Sequence, residues 1–394
     1  MLELHDIAIV AAKRTPVGAF QGSLGSINAP DLGAIAIRAV LNETQIDYRL
    51  IDEVIMGNVL SAGQGQAPAR QAALNAGLPN SVECLTINKM CGSGLKAVML
   101  AAQAIQTREA DIIIAGGMEN MTQAPYFIPK GRDGYRLGHG EVIDSIIKDG
   151  LWDVYNDKHM GNCAELLATK KKYSREAQDK FAQKSYTRAK AAQDNGAFSD
   201  EIIPVSVTHK KGLPKIIDVD DEPGRSNFEK MITLNPAFEK NGSITAANAS
   251  KINDGAAAVL LMSTEKAKDL NLNPLATIVA QTSTAQDPEW FTTAPVEAIN
   301  KVLKKAGLKP EEIDLWEINE AFAPVAMAPI DEFQLDPEKV NINGGAIAIG
   351  HPIGASGCRI LTTLIHAMGK RNANYGLATL CIGGGEASAI VIKK

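Results

Sequence analysis

The sequence predicts an α/β fold built from two duplicated βαβαβ halves, giving two mainly parallel sheets with helices on and between them, plus an inserted loop domain. Three observations carry this reading. Short β-branched runs alternate with longer amphipathic ones in both halves of the 394-residue chain. Several short segments recur in one order at nearly constant spacing. Between the two copies lies a stretch with no counterpart in either.

The repeat starts with Ile9-Val10-Ala11, which matches Ile278-Val279-Ala280. Ala39-Val40-Leu41 followed by Ile51-Asp52 recurs as Lys301-Val302-Leu303 followed by Ile313-Asp314. Val302 lies 262 residues after Val40, and Asp314 the same 262 after Asp52. Gly92-Ser93-Gly94 returns as Ala355-Ser356-Gly357, and each is followed by a helical stretch, Leu95 to Ile105 and Cys358 to Met368. Ile112 to Gly117 is echoed by Thr379 to Gly384. The predicted divisions are a first half over 1–122, an insertion over 123–249 and a second half over 250–394. Paired halves of this kind should turn both sets of loops into one cleft, outside the carboxyl ends of the strands. The alignment sets Cys91 opposite Gly354, Asn88 opposite His351, Ile114 opposite Cys381 and Asn58 close to Asn319.

Asn88-Lys89-Met90-Cys91-Gly92-Ser93-Gly94 reads as a strand end, a tight turn and the start of a helix. A cysteine there lies near unpaired N–H groups and the positive end of a helix dipole, which favour its thiolate. A small apolar residue at a packed corner is the plainer reading. The insertion opens with Gly- and Pro-rich sequence. A helix follows, with Ser174 as N-cap, Glu176 in its first turn, Ala177, Phe181, Ser185, Ala189 and Ala192 along one side, and Gly196 as its stop. Its Lys180, Lys184, Arg188 and Lys190 form either a solvated face or a contact for a phosphate-bearing substrate.

Three further stretches bear chemistry. In Trp316 to Phe322, Asn319 can donate from its amide or cap a helix. From Asn341 to Gly357, glycines flank a single histidine, His351, at a strand-to-helix turn. Cys381 ends a strand and is followed by Gly383, Gly384 and Gly385. Neither the dinucleotide-binding nor the Walker A glycine pattern is present. Two thiols, one imidazole and approachable backbone donors suit acyl transfer. A thiolate attacks the acyl carbon, His accepts the proton, and N–H groups hold the oxyanion. A second thiol serves as acid and base for carbon, because a simple hydrolase needs only one.

Composition narrows the remaining classes. Apolar content of 45% and charged content of 22% are those of an ordinary globular protein. A net charge of -5 gives no general attraction to nucleic acid or anionic membrane, so neither is expected as a partner. The five scattered cysteines form no disulfide framework and no CxxC pair, so no structural metal is expected and a reducing compartment is. Strand-like sequence from Ile7 leaves no room for a leader, and no apolar run approaches the roughly 18 residues of a membrane span. The expectation is a cytoplasmic protein.

Taken together, the quoted motifs resemble the thiolase family, and within it the biosynthetic acetoacetyl-CoA thiolases, the acetyl-CoA C-acetyltransferases. The likeness covers essentially the whole chain. It rests on Asn88 to Gly94, Asn319-Glu320-Ala321-Phe322, Asn343-Gly344-Gly345 through Gly350-His351-Pro352 to Gly357, and Cys381 to Gly385. It implies a reversible, ping-pong Claisen condensation of two acetyl-CoA to acetoacetyl-CoA and CoA. It also implies no cofactor beyond these CoA thioesters, and a homotetramer. By the same resemblance Cys91 carries the acetyl group, His351 activates it, and Cys381 removes the α-proton of the second acetyl-CoA. Asn319, through a held water, and His351 line one oxyanion hole; the N–H groups of Cys91 and Gly383 line the other.

The resemblance further implies CoA contacts from His159, Met160, Leu234, Phe238, Ala246, Ser250 and Phe322. Arg225 stands in for an arginine that would fall at Pro223. Lys251 stands where many relatives have glycine after the serine matched by Ser250. Phe291-Thr292, in place of Phe-Pro, argues against branched acyl chains. The tyrosine that serves potassium in some relatives falls near Pro223, so no potassium site is expected. Two thiolase-like alternatives are a degradative 3-ketoacyl-CoA thiolase of broader chain length and a lipid carrier. A ketosynthase is disfavoured, because it pairs its cysteine with two histidines.

Overall fold

The computed structural model describes residues 5–208 and 213–394. The start of the chain, on which the expectation of no leader partly rests, lies outside these residues. In the first half the strands are β1 (Ile7–Arg14), β2 (Glu53–Gly57), β3 (Glu83–Ile87), β4 (Ile112–Asn120) and β5 (Asn253–Ser263). In the second they are β6 (Ala276–Ala285), β7 (Leu315–Ile318), β8 (Tyr375–Ile382) and β9 (Glu386–Lys393). The longer helices are α1 (Ala29–Thr44), α2 (Ser93–Gln106), α3 (Met160–Lys171), α4 (Arg175–Asp194), α5 (Ala294–Ala306), α6 (Ala323–Glu332) and α7 (Ser356–Arg371).

The strands run in the order β3-β2-β4-β5-β1-β6-β9-β8-β7. Each half thus repeats one pattern, with its last strand inserted between its first and its fourth. A single parallel bridge from Trp316 to Val340 marks the missing third strand of the second half. Two details refine the expected α/β arrangement. Four strands of the first half point the same way, but only β2–β3, β2–β4 and β7–β8 pair in parallel. The inserted last strand makes the other ladders antiparallel. The two sheets are also continuous, because Ile7–Ile9 pairs with Ala276–Ile278. The boundary at 250 moves as well: residues 253–263 complete the first sheet. Every residue of that strand is buried, as a strand covered on both faces requires.

Alternation along the strands builds five layers. Ile112 and Ile114 of β4 face α1, in a core with Val40, Leu41, Val54 and Leu260. Ile113 and Ala115 face the other way, onto Leu95, Val98, Ile360 and Leu361 of α2 and α7, and that layer also meets Leu380, Ile390 and Ile392 of the second half. Beyond it, Leu377, Ala389 and Val391 face Ile299, Val302 and Leu303 of α5. The expected helices on and between the sheets are therefore present. Duplication extends to single bonds. The Asp52 carboxylate accepts from the N–H groups of Asp111 and Ile112 at 2.7 and 2.9 Å, and Asp314 accepts from those of Asn374 and Tyr375 at 2.8 and 3.0 Å.

The insertion is anchored by charge. Arg14, fully buried, donates to Glu201 at 2.6 Å and to both oxygens of Asp220 at 2.7 and 3.0 Å. The α4 helix forms as read from the sequence: the Ser174 hydroxyl accepts from the Ala177 N–H, and Ser185, Ala189 and Ala192 are buried. Three side chains of its basic run are paired. Lys184 and Arg188 both meet Glu338, and Lys190 meets Asp194.

In the middle layer, α2 and α7 touch through glycines. A Cβ on Gly94 would lie 2.8 Å from the Cys358 nitrogen, and one on Gly357 would lie 2.4 Å from the Leu95 nitrogen. These contacts are against main chain, so no rotamer change relieves them. Gly357→Ala should therefore push the helices apart and destabilise the fold by about 1–3 kcal/mol, the usual range for overpacking. Denaturant titration checks this, and an unchanged midpoint would contradict it.

Candidate active site

The turn after β3 holds Cys91 in a strained corner. Met90, just before it, has a φ of 47°. That conformation is secured by the Asn88 side chain, which accepts from the Met90 N–H at 2.9 Å. Ser93 ties the same turn, accepting from the Lys89 N–H at 2.8 Å and donating to the Met90 carbonyl at 2.6 Å. Gly92 leaves room for Ile382, whose Cδ1 would sit 2.3 Å from an added Cβ. Burial pushes the Cys91 thiol up to about 11, although the residue keeps some exposed surface. The N–H groups of Gly383 and of Cys91 itself work against that rise, and Glu119 adds to it. The expected thiolate is thus corrected to a resting thiol, because desolvation outweighs the donors.

His351 is buried at the entry to α7. Its main chain is fixed by a bond from its N–H to the Asn253 side chain at 2.9 Å. Gly350, at a φ of 117°, lets the backbone pass that side chain. The imidazole Nδ1 lies 2.6 Å from the Ser356 hydroxyl, which itself donates to the Pro352 carbonyl at 2.9 Å. With the hydroxyl proton so placed, Nδ1 carries the ring proton and Nε2 keeps a free lone pair. Nε2 is buried with no partner. Burial, and then Arg359, pull the ring down to about 3, so it is neutral at physiological pH.

Asn319 follows β7, and both its amide oxygen and its amide nitrogen are buried without a partner. It caps no helix, since α6 begins after Phe322. Orphaned amide atoms of this kind are what an ordered water satisfies. Cys381, near the end of β8, is fully buried. Burial raises its thiol well above the ordinary value, and the neighbouring Cys91 raises it further. The next turn passes through Gly384 and Gly385 at φ of 90° and 89°, which leaves the Gly383 N–H free for the Cys91 sulfur.

His351 also lines a cavity of about 430 Å³. His159, Arg225, Phe238, Ala246, Ser250 and Phe322 line it too, as expected from the sequence. The His159 ring stacks on Phe238 at 4.8 Å, and Phe238 meets Phe322 edge-on at 5.9 Å. Two expected residues lie elsewhere. Leu234 lines a neighbouring recess of about 220 Å³, which shares Arg225, Ala246 and Lys251 with the cavity. Met160 is buried beneath the wall, its sulfur 3.6 Å from where a Cβ on Gly383 would be.

Sequence reading missed Glu119. Its carboxylate accepts from the N–H groups of Val59, Leu60 and Gly354 and from the Asn58 amide, at 2.9 to 3.1 Å. Burial lifts it to about 7. The repeat held a signal for it, since Glu119 falls opposite Glu386. Among the described residues, no three His, Cys, Asp or Glu side chains gather as a metal site.

Comparison with known proteins points to one family. The thiolase N-terminal domain matches residues 7–265 and the thiolase C-terminal domain matches 272–394. An acetyl-CoA acetyltransferase of Pseudomonas aeruginosa is 54% identical over 99% of this chain and 100% of its own. Acetyl-CoA acetyltransferase 2 of Arabidopsis thaliana is 52% identical over 99% of this chain and 97% of its own. The crystal structure of the Acat5 thiolase from Ascaris suum in complex with coenzyme A superposes with a TM-score of 0.94 at 43% identity, covering 99% of this chain and 100% of that one. With two domain matches spanning both halves of the duplicated sheet, and relatives alike from end to end, the chain belongs to the thiolase family.

Proposed function

We propose that the protein is an acetyl-CoA C-acetyltransferase, condensing two acetyl-CoA to acetoacetyl-CoA and CoA through an acetyl group carried on Cys91. The carrying observation is identity of 50% or more, over the whole chain, to proteins of that name. The meeting of Cys91 from the first half with Gly383 and Cys381 from the second supports it.

In the first half-reaction, the Cys91 sulfur attacks the thioester carbon as its proton passes to His351 Nε2. The carbonyl oxygen, now negative, is held by the N–H groups of Cys91 and Gly383. The C–S bond to CoA breaks, and CoA leaves with the proton from His351. In the second half-reaction, Cys381 passes its thiol proton to His351 Nε2, and the resulting thiolate takes an α-proton from a second acetyl-CoA. A thiolate of raised pKa is a strong base, which suits a weak carbon acid. The enolate oxygen rests on His351 and on a water held by Asn319, whose unpartnered amide supports that role. The enolate carbon attacks the acetyl carbon, Cys91 leaves as thiolate and receives the α-proton from Cys381, and His351 returns its Nε2 proton to Cys381. His351 accepts at Nε2 in one half and donates there in the other. Ser356 supports both forms, because its hydroxyl oxygen accepts from the Nδ1–H in each while the hydroxyl donates to the Pro352 carbonyl.

The apolar wall of His159, Phe238 and Phe322 suits a pantetheine arm, and Arg225 a phosphate. Thiols, imidazole and amide supply the chemistry, so no cofactor is assigned beyond the CoA thioesters. Five free cysteines fit the reducing cytoplasm, and chemistry on these two thioesters supports a part in fatty acid metabolism. A homotetramer is supported by two surfaces. One is the edge strand β3, with Leu85 exposed; the other is an arm carrying exposed Tyr126, Ile128, Leu137 and Val142.

Three outcomes test these assignments. Cys91→Ser should form no acetyl-enzyme with acetyl-CoA, whereas Cys381→Ser should still trap acetyl on Cys91 and condense poorly. Intact mass with peptide mapping reads both, and acetyl found on Cys381 would reverse the two roles. Ser356→Ala should lower kcat by about 10- to 100-fold, within the range of a positioned proton transfer, with KM little changed. Ser356→Thr should recover most of that loss; no recovery would deny the hydroxyl its part. Thiolysis of acetoacetyl-CoA should outpace that of a long-chain 3-ketoacyl-CoA in kcat/KM, and the opposite order would make the enzyme degradative.

A further inference from the structure

Lys251, directly after Ser250, makes an unusual set of contacts. Its Nζ donates to the carbonyl oxygens of Ala246 at 2.7 Å, Ala249 at 3.1 Å and Ile347 at 3.4 Å. It also lies 5.4 Å from the centroid of the Tyr186 ring. An ammonium has three N–H donors and no acceptor, so all three are taken by main-chain carbonyls. The charged group whose field supports it is Glu222, and although burial lowers its pKa to about 8, it remains cationic at neutral pH.

The three carbonyls come from two functional segments. Ala246 and Ala249 belong to the wall that also carries Ser250. Ile347 lies in the short helix Ala346–Ile349, which leads through Gly350 into His351. Carbonyl dipoles aimed at one point repel one another unless a positive charge sits between them. Oxygens so arranged are the ligands of a dehydrated monovalent cation, and an ammonium nitrogen is close to a potassium ion in size.

We infer that Lys251 is a tethered monovalent cation: its ammonium fills a carbonyl cage that would otherwise take a potassium-sized ion, and so locks the acyl-CoA wall to the turn that presents His351. It is a positioning residue. The charge needed to hold the two segments in register is built into the chain, so the protein works independently of the surrounding salt. The kinetic part of its test rests on the acetyltransferase reading; the stability part does not.

The test uses the full-length wild type with Lys251→Ala and Lys251→Gly, two variants that empty the cage. Melting temperature and acetoacetyl-CoA thiolysis are measured at one ionic strength, with choline, sodium, ammonium or potassium as the only monovalent cation. The wild type should behave alike in all four. In choline, both variants should melt lower and show KM raised about tenfold, as displaced binding segments do. Potassium or ammonium should restore both readings to near wild type, and sodium should not. Potassium activation of the wild type would show that the cage is not filled by Lys251. Variants unaffected in choline, or impaired equally in every salt, would reduce the side chain to ordinary packing. A variant that stays unfolded with potassium present counts against the inference equally, since the ion should supply what the side chain did. If wild type shows no turnover, the acetyltransferase reading fails, and the salt-selective melting still decides the cation's role.

Discussion

Everything in this molecule depends on how closely α2 and α7 approach. Each helix starts at a turn that bears chemistry, Cys91 on one and His351 on the other, and each presents a glycine to the other's main chain. An added methyl at either glycine would reach backbone, and a backbone cannot rotate away. The same contact seats Gly354 beneath the ends of β2 and β4: a Cβ on Gly117 would lie 2.0 Å from the Gly354 oxygen, and one on Gly57 would lie 2.8 Å from it. The two helices therefore share one layer of the fold.

Within that frame, desolvation governs the reactive groups more than nearby charge does. It raises both thiols and lowers the imidazole, so the resting site holds neutral partners. Neutrality suits a reaction that must admit a thioester before any charge moves. A permanent thiolate–imidazolium pair would need solvation that this buried site does not give. In the proposed reaction the N–H groups of Cys91 and Gly383 meet charge only as it develops, where fixed donors count most.

Much of this could be read from the chain because a duplication writes its own alignment. Val40 with Val302 and Asp52 with Asp314 gave the two halves. Glycine runs beside Cys91, His351 and Cys381 marked turns where backbone lies open. The burial of Cys91 was not legible, since it comes from residues such as Ile382 that only the fold brings near. β5 was assigned to the wrong half because the insertion separates it from β4, while its antiparallel place between β4 and β1 is a tertiary choice. Ser356 was quoted only as an echo of Ser93. Its bond to His351 depends on a turn geometry that sequence spacing does not specify.

Comparing the two copies separates what the fold needs from what the chemistry needs. Where both halves keep the same residue in the same bonds, as Asp52 and Asp314 do, the role is to close a strand end and has nothing to do with substrate. Ser93 and Ser356 show the first divergence. Both donate to a carbonyl of their own turn, but Ser356 also meets an imidazole, because the position matching Asn88 holds His351. At the next level the copies differ outright. Gly354, opposite Cys91, is pressed into a space with no room for a side chain, whereas Cys91 has room for a sulfur beside the Gly383 N–H. Packing identical halves face to face would duplicate one site. Divergence between the copies instead leaves the two halves unlike, with Cys91 on the first and His351 and Cys381 on the other.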